Sequence, residues 1–151
     1  MTTPALEPGI LHFPHDELSE RYIVGAAILF GHMQSGITSN HFYDARARLV
    51  WSACFQLHQH NELTDCPQEN IGRVYRFLRN QNELINAGGS AYLNGLMAAL
   101  TRIDFVDYHS GILNEMKIRR DLIKQAEDLI RSASDLSSDV NALIDQNRGI
   151  A

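Results

Sequence analysis

The sequence predicts an all-α fold: a compact multi-helix head, then a long helix and a short return helix that together form a helical hairpin. Three observations carry this expectation. Apolar residues recur at helical spacing along most of the chain, and strand-like alternation is nearly absent. The run Ala87-Gly88-Gly89-Ser90-Ala91-Tyr92-Leu93 reads as a junction, in which two glycines stop one helix and a serine caps the next. Beyond it, Ile103 to Ala133 contains neither a proline nor a glycine pair, so one long helix follows.

The elements follow in order. Met1 to Leu11 holds Pro4, Pro8 and Gly9 and reads as a loose lead-in, closed by Pro14. Residues 1–13 are therefore assigned to the lead-in, 14–102 to the head and 103–148 to the hairpin arm. Asp16 can accept from the open amides of a helix starting there, and Glu17 and Glu20 suit its positive end. Leu18, Tyr22, Gly25, Ala26 and Leu29 predict one apolar face over residues 17–30, with small residues at 25–27 allowing a close neighbour. Gly31 to Asn40 is a loop or a broken helix. A second helix is expected to open near His41, with Phe42, Leu49, Val50, Ala53 and Leu57 sharing a face and Asp44, Arg46 and Arg48 elsewhere.

His58 to Glu69 is polar, contains Pro67 and reads as a connection. A third helix is expected from Asn70 through Ile71, Val74, Phe77 and Leu78, and on to Leu84 and Ile85, closed by Gly88-Gly89. Tyr92, Leu93, Leu96, Met97 and Leu100 predict a short fourth. In the long helix, Val106, Leu113 and Met116 share one side. Leu122, Ala126, Leu129, Ile130 and Ala133 share another, rotated by about 120° at 100° per residue. The first half is thus expected to face the head, and the second half something else. Ser134-Asp135-Leu136-Ser137-Ser138-Asp139 supplies turn and cap chemistry. Val140, Leu143 and Ile144 then make a short return helix. A two-helix hairpin leaves apolar surface open unless a partner covers it.

Composition narrows the function. The 151 residues are enough for one domain with a real core, and the formal net charge of −5 argues against a nucleic-acid surface and for a protein partner. Cys54 and Cys66 form no close pair or metal spacing, as expected of a cytoplasmic chain with one buried thiol and one in a loop. No apolar run approaches the roughly 18 residues of a membrane span, and the start lacks the basic and apolar regions of a secretion signal. Gly31-His32-Met33-Gln34-Ser35-Gly36-Ile37-Thr38 has two glycines at phosphate-loop spacing, but Ile37 stands where the lysine must be. His12 with His15 and His58 with His60 lack converging ligands and read as surface histidines, so neither metal nor cofactor is expected. Ser52 has no nucleophile elbow around it. Arg119, Arg120, Lys124 and Arg131 interleave with Glu115, Asp121, Glu127 and Asp128, a mixed-charge face rather than a strand-binding one.

Pro14-His15-Asp16 leading into Glu20, then Val24-Gly25-Ala26-Ala27-Ile28-Leu29, resembles the opening helix of the N-terminal domain of DnaB-type bacterial replicative helicases. Phe42-Tyr43 with Arg48, Val50, Ala53 and Leu57 resembles its next helix, and Gly88 to Leu96 its double-glycine junction. Val106, Asp107, Tyr108, Ile112 and Leu113, with Arg119-Arg120, Leu122-Ile123 and Ala126, are similar to its long hairpin helix, and Asp139 to Asp145 to the second arm. The resemblance spans residues 12–148. Ala47, where the family often has histidine, and the long polar segment Glu62–Asn82 depart from the pattern.

The resemblance implies a domain without a motor, the ATPase domain lying outside this chain. Such a domain pairs through its hairpin into a dimer or a hexameric collar and offers docking surface to primase and in some cases to a helicase loader. It contacts neither nucleic acid nor membrane directly. The candidate self-association residues are Leu122, Ile123, Ala126, Leu129, Ile130, Leu136, Val140 and Leu143. Arg119, Arg120 and Lys124 are candidates for partner docking. The alternative is a free-standing phage or plasmid homologue that regulates or caps a host helicase.

Overall fold

The computed structural model describes residues 13–99 and 102–148. They form α1 (Glu17–Phe30), a 3-10 turn (Ser39–His41), α2 (Ala45–Gln59), α3 (Pro67–Asn80), α4 (Gly89–Ala99), α5 (Val106–Ser134) and α6 (Val140–Gln146). There is no strand among the described residues. Among the described residues two compact units are present, one of His15–Lys117 and one of Phe13 and Pro14 with residues 118–148.

In the first unit α1 is the centre. Asp16 Oδ1 accepts from Ser19 N–H at 2.8 Å and caps its start. At its end Gly31 takes a left-handed φ of 66°, with Gly31 N–H bonded to Ala27 O and His32 N–H to Ala26 O. A Cβ on Gly31 would lie 2.5 Å from Thr64 O, so the loop that crosses here requires glycine. The sequence predicted a single apolar face, and the structure departs from it. Every residue from Ile23 to Leu29 is buried, while Leu18, assigned to the apolar face, is 70% exposed. Gly25, Ala26 and Ala27 are the reason: short side chains let α2, α3 and α4 all pack against α1.

Starting at Ala45 instead of near His41, α2 is capped by Asp44, whose Oδ1 accepts from Arg46 N–H. The intervening residues turn so that Phe42, 1% exposed, tilts against Trp51 with ring centroids 5.3 Å apart. Pro67, read as part of a connection, is the first residue of α3, a position where its missing N–H costs nothing. Buried Asn70 ties the preceding loop down: Oδ1 accepts from Thr64 N–H at 2.8 Å and Nδ2 donates to Thr64 O at 2.7 Å.

The glycine pair does not close α3, which ends at Asn80. Asn82, at a left-handed φ of 58°, makes the stop, with Glu83 N–H bonded to Leu78 O. Asn61 ends α2 in the same way, at φ 56° with Glu62 N–H on Leu57 O. Ile85, expected on the helix, lies in the turns beyond it and is exposed. Ser90 sits inside the first turn of α4 rather than ahead of it. Gly88 is indispensable for a different reason: its φ is 90°, and a Cβ there would fall 2.5 Å from Tyr92 Cβ and 3.1 Å from Arg46 Cδ. Leu100 lies outside the described residues.

Residues Val106–Lys117 of α5 belong to this first unit. Val106 and Leu113 enter its core, with Ile23, Ile28, Val50, Leu78 and Leu93. Polar contacts fasten the same stretch. Thr38 N–H donates to His41 Nδ1, which leaves Nε2 as the donor to Asn114 Oδ1 at 2.7 Å. His109 Nδ1 shares a 2.8 Å hydrogen bond with Ser19 Oγ, and its ring stacks on Tyr22. Gln34 Nε2 donates to Asp107 Oδ1. His41 is therefore interior. Among the described residues no helix is long and apolar enough to cross a membrane, and no cluster of three metal-ligating side chains occurs.

Gly88→Ala is expected to lower stability by about 1–3 kcal/mol, because it adds both a clash and a strained φ. Gly111→Ala, on a helical face with nothing within reach of a Cβ, is expected to raise it by about 0.5–1 kcal/mol. Urea midpoints measure both. Burial holds the His109 imidazole below the ordinary value of 6.5, and the nearby Asp16 charge opposes this only in part. The unfolded chain therefore binds the proton more readily, and this site's contribution to stability falls as pH drops below about 6.5. Unfolding midpoints between pH 7 and 5 are expected to fall less for His109→Asn than for the wild type.

Candidate assembly surface

The second unit is built by local chemistry. Good helix formers carry α5 through Ile118–Ser134 without a break. Ser134 Oγ bonds back to Ile130 O at 2.7 Å, and Asp135 Oδ1 then accepts from both Ser137 N–H at 3.0 Å and Ser137 Oγ at 2.7 Å. Those two bonds hold the Asp135 carboxyl below its usual range. Asp139 Oδ1 accepts from Asn141 N–H at 3.0 Å and opens α6. Turn, cap and return helix are thus encoded within about ten residues.

The two helices enclose an apolar groove of about 490 Å³, lined by Leu129 and Ala133 of α5 and by Val140, Leu143 and Ile144 of α6, with Asn147 and Arg148 at one end. Leu129 and Leu143 also line a polar groove with Gln125, Asp128, Ser132, Gln146 and Asn147. Both residues line the two grooves and are half-buried.

The sequence-predicted residues do not form one patch. Leu122, Ala126 and Leu129 fall on one stripe of α5, which Ala133 continues; Ile123 and Ile130 lie about 80–100° around the helix. Val140 and Leu143 enter the groove. Leu136 sits in the turn, 99% exposed, and lines neither groove. Ile144 was placed on the return helix but not among the interface candidates, although it lines the apolar groove. Ile118 was missed: it is exposed one turn before Leu122, and the four-residue spacing was the available signal.

Of the three docking candidates, Arg119 and Lys124 are exposed. Arg120 is not, being 6% exposed with Nη1 donating to Pro14 O at 2.9 Å. It braces the chain ahead of α1 and presents no surface to a partner.

A family model described as DnaB-like helicase N terminal domain matches residues 12–115. The chain belongs to this family. A replicative DNA helicase DnaB of Rhodothermus marinus is 30% identical over 110 residues, and one of Leifsonia xyli subsp. xyli is 27% identical over 115. These alignments cover 73% and 74% of this chain but only 11% and 24% of those proteins. The crystal structure of the N-terminal domain of DnaB helicase from Mycobacterium tuberculosis superimposes with a TM-score of 0.79 at 19% identity. That match covers 91% of this chain and 96% of the other, a likeness of fold that extends past the residues the family model matches.

Removing the α6 cap tests how the hairpin is held. Asp139→Ala is expected to cost the return helix about 0.5–2 kcal/mol. Hydrogen exchange at Leu143 and Ile144 should quicken, while the amides of Ile23–Leu29 keep their protection.

Proposed function

We propose that this chain is a non-catalytic assembly domain of a cytoplasmic replicative DNA helicase, joining protomers through its hairpin and offering docking surface to primase or a helicase loader. The observation that carries the reading is the apolar surface left open on α5 and α6, in a chain whose family is that of helicase N-terminal domains. Ile118, Leu122, Ile130, Val140 and Ile144 are large apolar side chains that the second unit leaves exposed. Burying each against another protomer is worth about 1.5–3 kcal/mol, so a few of them offset the cost of association. The motor, in this reading, is supplied by an ATPase domain outside these residues.

The mechanism is mechanical rather than chemical. Pairing of hairpins builds a dimer, repetition of the pair builds a hexameric collar, and the collar holds a partner close to the motor domains. Arg119 and Lys124 lie on the exposed surface of α5 and supply the polar rim around the apolar contact.

Light scattering over a concentration series tests this. The wild-type mass is expected to rise above that of one chain, and Leu129→Asp to return it to a monomer. Because Leu129 also packs within the hairpin, Ile130→Asp at a 67% exposed position is the companion variant, expected to weaken association by about tenfold or more without disturbing the fold. A mass unchanged by both substitutions overturns the hairpin as the assembly element.

A further inference from the structure

On the head, α3 turns a second kind of surface outward. It carries Arg73, Arg76 and Arg79 against a single acid, Glu69. Three of the chain's 13 cationic side chains and one of its 18 anionic ones are therefore on this helix, and the remainder is more acidic still than the net charge of −5. The arginines are three residues apart, about 4.5 Å of rise per step, and sweep an arc of about 120°. Val74 and Leu78 are buried on the opposite side, so this arc is the outer face.

The arginines differ in what occupies them. Arg73 donates to Glu62 O and lies 3.9 Å from Glu69. Arg76 and Arg79 have no ion pair among the described residues; Arg79 rests its guanidinium 5.9 Å from the centre of the Tyr75 ring. Elsewhere on the head Arg46 is spent on Asp44, and Arg48 on the carbonyls of Phe42 and Tyr43. The two outer cations of α3 are thus uncompensated by the fold.

Gly72 lies between Arg76 and Arg79 around the helix. Glycine destabilises a helix interior, and nothing in the fold demands it here, because a Cβ on Gly72 would meet no atom within 4 Å. What sets Gly72 apart from Gly111, equally open to a Cβ, is its place inside the arginine arc, where the bare backbone admits a close approach from outside. A helix laid along this face could come close at Gly72, with acids spaced three or four residues apart falling opposite the arginine row.

The geometry points to the outer face of α3 as a docking surface for an acidic helical segment of a partner protein, its carboxylates against Arg73, Arg76 and Arg79 and its backbone over Gly72. Nucleic acid fits less well, because three cations neutralise few phosphates and the acidic remainder of the chain repels a polyanion. This surface belongs to the unit of His15–Lys117 alone and is independent of the assembly reading.

Fluorescence anisotropy of the full chain tests it, with two labelled probes: a helical peptide of repeating Glu-Ala-Ala-Leu and an oligo-thymidine single strand. The peptide should bind, with affinity that falls as salt rises. The double variant Arg76→Glu/Arg79→Glu should weaken it about tenfold or more. Gly72→Leu should weaken it similarly with no loss of Tm, since the fold has room for the side chain. Neither α3 variant should alter the mass in solution, which keeps this result distinct from a failure of hairpin assembly. Absence of peptide binding, or binding indifferent to the α3 variants, overturns the proposal. Tighter binding of oligo-thymidine with the same arginine dependence overturns it in favour of a nucleic-acid surface.

Discussion

Glu20 carries a carboxyl group on the central helix of the head, 1% exposed, and burying such a group is costly unless hydrogen bonds hold it. Its Oε1 accepts from Asp44 N–H at 2.9 Å, which fixes the start of α2 against α1. Asp44 caps α2 and grips Arg46, whose proximity holds the Asp44 carboxyl below its usual range. The Arg46 guanidinium in turn lies 4.7 Å above the centre of the Tyr92 ring on α4, and Tyr92 packs against the bare backbone of Gly88. One chain of contacts therefore orders three helices. Removing a link leaves a charge in the interior or a gap beneath a ring.

How far this could be read from the chain depends on the range of the interaction. Helix starts set by the next few residues were legible: Asp16 caps α1 within three positions, and the Ser134–Asp139 turn returns α6 where its composition says it should. The continuity of α5 was legible for the same reason. Misplaced features depend on distant partners. Leu18 fits the apolar face by spacing but is exposed, and Glu20 suits the helix start by charge yet is buried, because exposure rests on three other helices crowding α1. Gly88 looked like a helix terminator, whereas its constraint comes from Tyr92 and Arg46. The true terminators, Asn61 and Asn82, carry the same left-handed backbone as glycine but give a weaker signal in sequence.

Charge placement on the candidate surfaces followed the same rule. Periodicity found the apolar stripe of α5 because a single helix defines it, and it divided the interface candidates between stripe, groove and turn only once α6 was in place. It could not tell Arg120 from Arg119: adjacent residues of one sign became an internal brace on Pro14 O and an exposed cation. The head and the hairpin thus spend side chains differently. The head invests its polar groups in internal bonds, such as Asn70 on Thr64 and Glu20 on the Asp44 amide. The hairpin leaves most of its large apolar groups uncovered.

The return helix, α6, is seven residues long and buries none of them. A helix that short lies below the length at which intrinsic propensity sustains it in water, so its order is borrowed from whatever it packs upon. A surface that covered Val140 and Ile144 would tighten it by mass action. In the proposed assembly α6 would therefore report occupancy, its helicity rising with the concentration of the surface that covers it.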